Sequence, residues 1–273
     1  MTNPNEILPG VIFYSYLSAV RKEKVCFLAN NKLVLQVSGQ LTFETSVQKI
    51  SMRKGEMMLI GKNQLGQLTK NPLPGEEHYE TIVICLQEDM LRRIALEEQI
   101  EIQGKYIGPP NILIPSNDFL QGYFQSIVPY VRNTPGTITP DMGILKVKEV
   151  VKLLLQVKPD LGKYLFDLSE PHKIDLEKFM LTNYHFNVTI EKFATLTGRS
   201  LAGFKRDFQK IFGMSPRVWL QERRLTEAQY LIAQKNMKPS AIYLDLGFET
   251  LSHFSHSFKK KFGHSASVEH KEH

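Results

Sequence analysis

The sequence predicts an α+β chain built as a β-rich half followed by an all-α half. Three observations point to this class. Over the first hundred positions, short apolar runs of strand character recur roughly every 8–12 residues, the spacing of a small barrel or sandwich. From about Glu88 the apolar period changes from that of a strand to that of a helix. Between Asn187 and His264 one pattern of glycines and phenylalanines is written twice, the mark of a duplicated supersecondary unit.

Residues 1–10 read as a frayed arm. Strand-like runs follow at 11–16, 24–28, 33–37, 41–43, 49–52, 57–60, 66–69 and 79–86, with Gly55 and Gly61 as punctuation. Ser38-Gly39-Gln40 suits a hairpin between two of them. Met90, Leu91, Ile94 and Ala95 fit a helix, and 102–114, with Pro109-Pro110, reads as irregular. Ser116 is the expected cap of a helix with Leu120, Tyr123, Phe124, Ile127 and Val128 inward. Asn133-Thr-Pro-Gly-Thr is a turn signal. A broad apolar face of Ile144, Val147, Val150, Val151, Leu154 and Leu155 marks a second helix over 140–157. Such a pair can bury one side within the protomer and another against a second copy. The expected divisions are a β-rich domain over 1–114, a helical hairpin over 115–158, a linker over 159–173, and a helical domain over 174–268.

In the helical domain, Leu176, Phe179, Met180 and Tyr184 form a first amphipathic face. Next come the two copies. Phe204, Phe208 and Phe212 recur after about 50 positions as Phe254, Phe258 and Phe262, and Gly213 as Gly263. The earlier glycines, Gly198 and Gly247, are one residue out of step, so the second turn is one residue longer. The i, i+4, i+8 spacing places each phenylalanine trio on one helix stripe. Ser200 suits the N-cap and Gly213 the C-terminal end of the first such helix. A shorter amphipathic segment with Ile190, Phe193, Ala194 and Leu196 inward precedes it. Short helix, glycine turn, then a longer helix with a basic outer face is the helix-turn-helix plan. A long helix from Pro216 to Gln234 joins the copies, with Trp219, Leu220, Leu225, Ala228, Leu231 and Ile232 on its buried side.

The 273 residues carry 34 Lys and Arg against 28 Asp and Glu. Residues 1–170 are balanced at 18 of each sign, whereas 171–273 hold 16 cationic and 10 acidic side chains. The whole excess of +6 therefore lies in the helical domain, the electrostatic footprint of binding to nucleic-acid phosphates. The chain shows neither a signal peptide nor an apolar stretch of membrane length, and a cytoplasmic location is expected. Cys26 and Cys85 read as reduced, buried thiols. Only His78 is available to the β-rich half, so neither a metal nor any other cofactor is expected. No phosphate-binding glycine loop and no local signature of a nucleophilic triad occurs.

Residues 174–268 resemble the AraC/XylS family of bacterial transcription regulators. The anchors are Ala194, Gly198, Phe208, Gly213-Met-Ser-Pro216, Trp219-Leu220, Arg224-Leu225, Ala228, Leu231, Gly247-Phe248, Phe254, Phe258-Lys259 and Phe262-Gly263. The stretch 219–224 and the layout of the first half look closest to the branch that activates type III secretion genes. The resemblance implies a cupin-like barrel followed by dimerising helices, and two helix-turn-helix units seated in successive major grooves of double-stranded DNA. It places base contacts at Ala202, Lys205 and Arg206 in the first unit, and at Leu251, Ser252, His253 and His256 in the second. Arg206 is suited to bidentate bonding of guanine, and Ala202 to a methyl contact with thymine. Ser200, Lys210, Thr250, Lys259 and Lys260 are the expected phosphate contacts, with a solvated helix face as the alternative for Lys210, Lys260 and Lys261.

Three departures bear on the second unit. Tyr243 stands where the family has a small residue, His256 where it usually has arginine, and Ala266 where it usually has proline. The resemblance further implies a sugar-like small molecule or a protein as effector of the barrel, RNA polymerase as a partner, a homodimer, and no membrane. A cupin-type enzyme with an accessory helical domain, and an interaction module with degraded DNA binding, are the alternatives.

Overall fold

A computed structural model of the chain describes residues 5–46, 48–100, 106–132, 139–167 and 173–267. The turn signal at 133–137, residues 168–172 of the expected linker, the side chain of Cys26 and residue 268 lie outside these. The chain divides into two compact units between Ser169 and Glu170.

The first unit holds ten strands: β1 (Asn5–Leu8), β2 (Ile12–Leu17), β3 (Arg21–Leu28), β4 (Asn31–Ser38), β5 (Gln40–Glu44), β6 (Lys49–Met52), β7 (Met57–Ile60), β8 (Gln64–Asn71), β9 (Tyr79–Leu86) and β10 (Asn111–Ile114). They form two antiparallel sheets, one ordered β1-β2-β9-β4-β7-β10 and the other β3-β8-β5-β6. The helices α1 (Glu88–Glu97), α2 (Asp118–Arg132), α3 (Pro140–Val157) and α4 (Leu161–Leu165) complete the unit. Strand β7 shows why the layers stack as they do. All four of its residues, Met-Met-Leu-Ile, are buried, because its sheet is covered on both faces. Met57 and Leu59 pack with the helices' Phe124, Val150 and Leu154, while Met58 and Ile60 pack with Phe43 and Leu41 of the second sheet.

Five expectations change. The arm at 1–10 contains strand β1, with Ile7 and Leu8 buried in the helix-facing core. Ser38–Gln40 is not a hairpin: β4 pairs with β7 and β9, while β5 pairs with β6 and β8. The chain turns there from one sheet into the other, through Gly39 at φ +78°, where an added Cβ would lie 2.7 Å from the Asn71 carbonyl oxygen. Within 102–114, residues 111–114 form β10. The buried Asn111 holds it through hydrogen bonds donated by its Nδ2 to Gln48 Oε1 and Gln64 Oε1, each at 3.0 Å. The cap of α2 is Asn117, whose Oδ1 accepts from the Leu120 N–H at 2.8 Å; Ser116 instead accepts from the Gln121 side chain. The stretch 159–173, read as a linker, begins with α4, whose Leu161 and Leu165 are fully buried in the first unit's core.

The second unit comprises α5 (Leu176–Asn183), α6 (Ile190–Leu196), α7 (Leu201–Phe212), α8 (Pro216–Lys235), α9 (Pro239–Ile242) and α10 (Leu251–Phe262). The phenylalanine stripes do what their spacing requires. Phe204, Phe208, Phe254 and Phe258 are fully buried. Helix α8 serves both copies. Its Trp219 packs edge-on to Phe208 and against Phe212, whereas Leu225, Ala228 and Ile232 join the core of Phe248, Phe254 and Phe258. Phe208 and Trp219 therefore tie α7 to the first half of α8, and the second half of α8 carries α10.

Arg224, at the middle of α8, donates to three backbone carbonyls: Tyr184 at 2.8 Å, Phe186 at 2.9 Å and Gly247 at 3.1 Å. The first two lie in the α5–α6 connection and the third in the turn of the second copy, so one guanidinium links the two copies within the second unit. Burial brings its pKa down to about 10, still far above neutrality. Gly247 must be glycine: its φ is +84°, and a Cβ there would lie 2.6 Å from the His185 carbonyl oxygen and 2.9 Å from the Arg224 guanidinium carbon. Arg224→Met leaves three inward carbonyls without a donor. The expected loss is about 2–4 kcal/mol of unfolding free energy, read by urea denaturation. Arg224→Lys is expected to recover only part of it, since an ammonium cannot reproduce the planar fork.

Candidate nucleic-acid interface

The two copies are built by the same local rules. In the first, Thr189 caps α6 and Ser200 caps α7, with Ser200 Oγ accepting from the Gly203 N–H at 3.2 Å. In the second, Thr250 caps α10, its Oγ1 accepting from the His253 N–H at 3.1 Å. The hydroxyls of Ser200 and Thr250 are thus engaged as helix-capping acceptors and keep their O–H to donate. Gly213 and Gly263 close α7 and α10 in the left-handed region. Two residues separate Gly198 from Leu201 and three separate Gly247 from Leu251, so the second turn is one residue longer.

Ala202, Lys205 and Arg206 on α7 are all exposed, as are Leu251, Ser252, His253 and His256 on α10. Ser200, Lys210, Thr250, Lys259 and Lys260 are exposed too. Burying Phe204 and Phe208 dictates this, because residues one and two positions after a buried helical residue turn towards solvent. The Arg206 side chain is 77% exposed, with Asp207 3.7 Å away. Asp207 is itself held by Arg199 at 3.1 Å, which keeps its carboxyl below the usual range. Arg199 also donates to the carbonyls of Ile174 and Thr197. Arg199 and Asp207 therefore brace the start of α7, and Arg206 extends beyond them.

Lys261 behaves differently. Its ammonium pairs with the Glu222 carboxylate at 2.6 Å and donates to the Glu222 carbonyl and Thr226 Oγ1. It ties α10 to α8. The lower exposure of Lys261 than of Lys259 and Lys260 follows from helical geometry rather than from composition, so the sequence does not separate them.

A groove of about 650 Å³ opens between the copies. Glu191 of α6, Arg217 and Gln221 of α8, and His253 of α10 line it. The Glu191 carboxyl is held below its usual range, first by its own backbone N–H and the Thr189 hydroxyl and further by the charges of Lys205 and Arg217. His253 of α10 thus borders the same groove that Glu191, within electrostatic reach of Lys205 on α7, borders from the other copy. Arg217 and Gln221 were not among the residues singled out from sequence. Their position beside the duplicated pattern, on the connecting helix, gives them no repeat partner to signal them.

The second copy also shows how Tyr243 is accommodated. Helix α9 ends at Ile242 after four residues, and Tyr243 lies half-buried at its C-terminal end against the Phe254–Phe258 core. Its counterpart in the first copy, Ala194, is fully buried within the seven-residue α6. Ala266 is buried in the same second core. Among the described residues no cluster of three or more His, Cys, Asp or Glu side chains could hold a metal, and no helix is long and apolar enough to cross a membrane. Cys85 is buried and free, and burial raises its thiol pKa.

Two family profiles match the chain. That of the ExsA N-terminal regulatory domain covers residues 31–164, and a helix-turn-helix domain profile covers residues 193–271. The virulence regulon transcriptional activator VirF of Yersinia enterocolitica is 26% identical over 255 residues, spanning 88% of this chain and 89% of that protein. The thermoregulatory protein LcrF of Yersinia pestis is 25% identical over the same shares of the two chains. The HTH-type transcriptional regulator ExsA of Pseudomonas aeruginosa is 32% identical over 126 residues, 45% of each chain. Among solved structures, ToxT of Vibrio cholerae aligns over 96% of this chain and 98% of its own, at 15% identity and a TM-score of 0.42. With an N-terminal regulatory domain and a duplicated helix-turn-helix domain matched in order along its length, this chain belongs to the AraC/XylS family of bacterial transcription regulators.

Proposed function

We propose that this regulator acts as an activator in the cytoplasm, with α7 and α10 seated in successive major grooves of double-stranded DNA. The observation that carries the reading is the outward presentation of Lys205 and Arg206 on α7, and of Ser252, His253 and His256 on α10, with His253 at the edge of the groove between the copies. In this reading Arg206 bonds guanine O6 and N7, Lys205 reaches a guanine or a phosphate, and Ala202 meets a thymine methyl. Lys210, Lys259 and Lys260, with the capping hydroxyls of Ser200 and Thr250, take phosphates and set the register. The first unit exerts control, through a small molecule or protein effector. The α2–α3 pair serves a homodimer, and RNA polymerase is the partner through which activation is delivered. VirF is described as a transcriptional activator, which supports activation over repression here.

The division of labour between the copies follows from their chemistry. The first presents an arginine and a lysine to the bases. The second presents an apolar Leu251, a serine and two histidines, and its leading helix is a single turn. The first copy is therefore assigned most of the sequence readout and the second most of the general grip.

Two measurements test this reading. DNA affinity should fall about 10³–10⁵-fold between 50 and 200 mM salt if six to ten phosphates are neutralised, and Lys260→Ala should lower the logarithmic salt slope by about one. A flat salt response in a mobility-shift titration contradicts phosphate anchoring. In a selection against randomised duplexes, Arg206→Ala should relax base preference at one position by about 1–3 kcal/mol. The double change Ser252→Ala with His256→Ala should relax it less. The reverse ranking removes the assigned division of labour.

A further inference from the structure

Most arginines of the second unit are engaged within it. Arg199 pairs with Asp207, Arg206 lies 3.7 Å from the same carboxylate, and Arg223 lies 4.0 Å from Glu227 and over the Tyr184 ring. Arg224 bonds three carbonyls. Arg217, in the first turn of α8, makes no hydrogen bond and no ion pair among the described residues. It is exposed, because Pro216, Trp219 and Leu220 take the buried face of that turn. A solvated arginine is ordinary by itself, and its place decides what it can do. Arg217 lines the groove between the copies, as does His253 of α10. Glu191 of α6 lines it too and lies within electrostatic reach of both Arg217 and Lys205 of α7. Helix α8 is packed into both aromatic cores, through Trp219 in one and Ile232 in the other. Arg217 is thus held between the outward residues of α7 and those of α10.

A duplex seated on α7 and α10 in successive major grooves presents, between those grooves, the backbone that borders the intervening minor groove. That backbone is anionic at every nucleotide, so a surface facing it needs a donor with charge and reach. We infer that Arg217 binds a backbone phosphate of this intervening stretch, which makes the groove beside α8 a third DNA-contacting surface. A guanidinium suits a phosphate because it can donate two parallel N–H bonds at once. The carboxylates of the groove, Glu191 and Glu249, are both accounted for. Glu249 accepts from the Asn187 amide at 3.0 Å. Glu191 is held by its own backbone N–H and the Thr189 hydroxyl, and it is the counter-charge that Arg217 exchanges for phosphate. The inference rests on the proposed seating of α7 and α10, and it adds a contact that positions the duplex without reading bases.

Mobility-shift titration of the full chain tests it, on a duplex retained in the selection against randomised DNA. Uncharged methylphosphonates replace its phosphates one at a time. For the unaltered chain, replacing a phosphate between the two contacted major grooves should weaken binding about fivefold or more. In Arg217→Ala the same replacement should matter by less than about twofold. Arg217→Ala should also weaken binding to all duplexes alike and lower the logarithmic salt slope by about one, with base preference unmoved. Arg217→Lys should keep the slope and recover part of the affinity. Glu191→Gln keeps a capping side chain and should tighten binding to any duplex about two- to fivefold. Intervening phosphates that tolerate replacement, an Arg217→Ala chain with the full salt slope, or a loss confined to one base position would each overturn the assignment. A Glu191→Gln chain that binds no tighter removes the exchange of counter-charge. The methylphosphonate scan on the unaltered chain decides the matter even where Arg217→Ala does not fold. No retained duplex, or a flat salt response of the unaltered chain, removes the proposed function. A steep response that is indifferent to Arg217 removes this inference alone.

Discussion

The arrangement of the DNA-facing unit depends on one part-buried guanidinium. A short helical domain with two separate aromatic cores has few ways to keep them in fixed register. Here α8 spans both, and Arg224 at its centre bonds carbonyls from the α5–α6 connection and from the turn before α10. Such carbonyls, turned inward and away from strand or helix partners, need a donor. One planar side chain supplies it to all three, with charged hydrogen bonds that are shorter and stronger than neutral ones. Two rigid copies held this way present their outer helices at a fixed separation, which a duplex with fixed groove spacing requires.

The first unit obeys a different constraint. Its larger sheet is covered on both faces, by helices on one side and by the smaller sheet on the other. That double cover explains the continuous apolar run of β7 and the burial of Ile7 and Leu8 on β1. It also sets Lys70 apart, since it is the cationic residue of a strand face otherwise given to Gly66 and Leu68. The helical layer of Leu120, Val150 and Leu161 closes the opposite face, so the helices and the cavity between the two sheets share a sheet without sharing a core.

Much of the architecture was legible from residue order. The phenylalanine stripes, the capping Ser200, the closing Gly213 and the helix 140–157 all stand where periodicity and capping chemistry put them. These are local signals, carried by residues within one or two turns of each other. The errors are of the opposite kind. Ser38–Gln40 has the composition of a hairpin, yet the strands on either side join different sheets. Residues 111–114 follow a pair of prolines and looked irregular, yet they pair with β7 and are pinned by Gln48 and Gln64, more than 40 residues away. In each case the partner was remote, and a short segment carries no mark of a remote partner.

The sequence by itself determined the class of the chain, the duplication, the location of its cationic excess and the set of outward residues on α7 and α10, because helical period and charge are written locally. Tertiary structure alone decided that Lys261 is bound to Glu222 while Lys259 and Lys260 stay exposed, that Arg217 and Gln221 border the groove beside His253, and that Lys70 lines a cavity between the two sheets of the first unit. Those facts depend on which distant segments meet. The meeting is fixed by burial of the aromatic and aliphatic cores, a property of the whole chain rather than of any stretch of it.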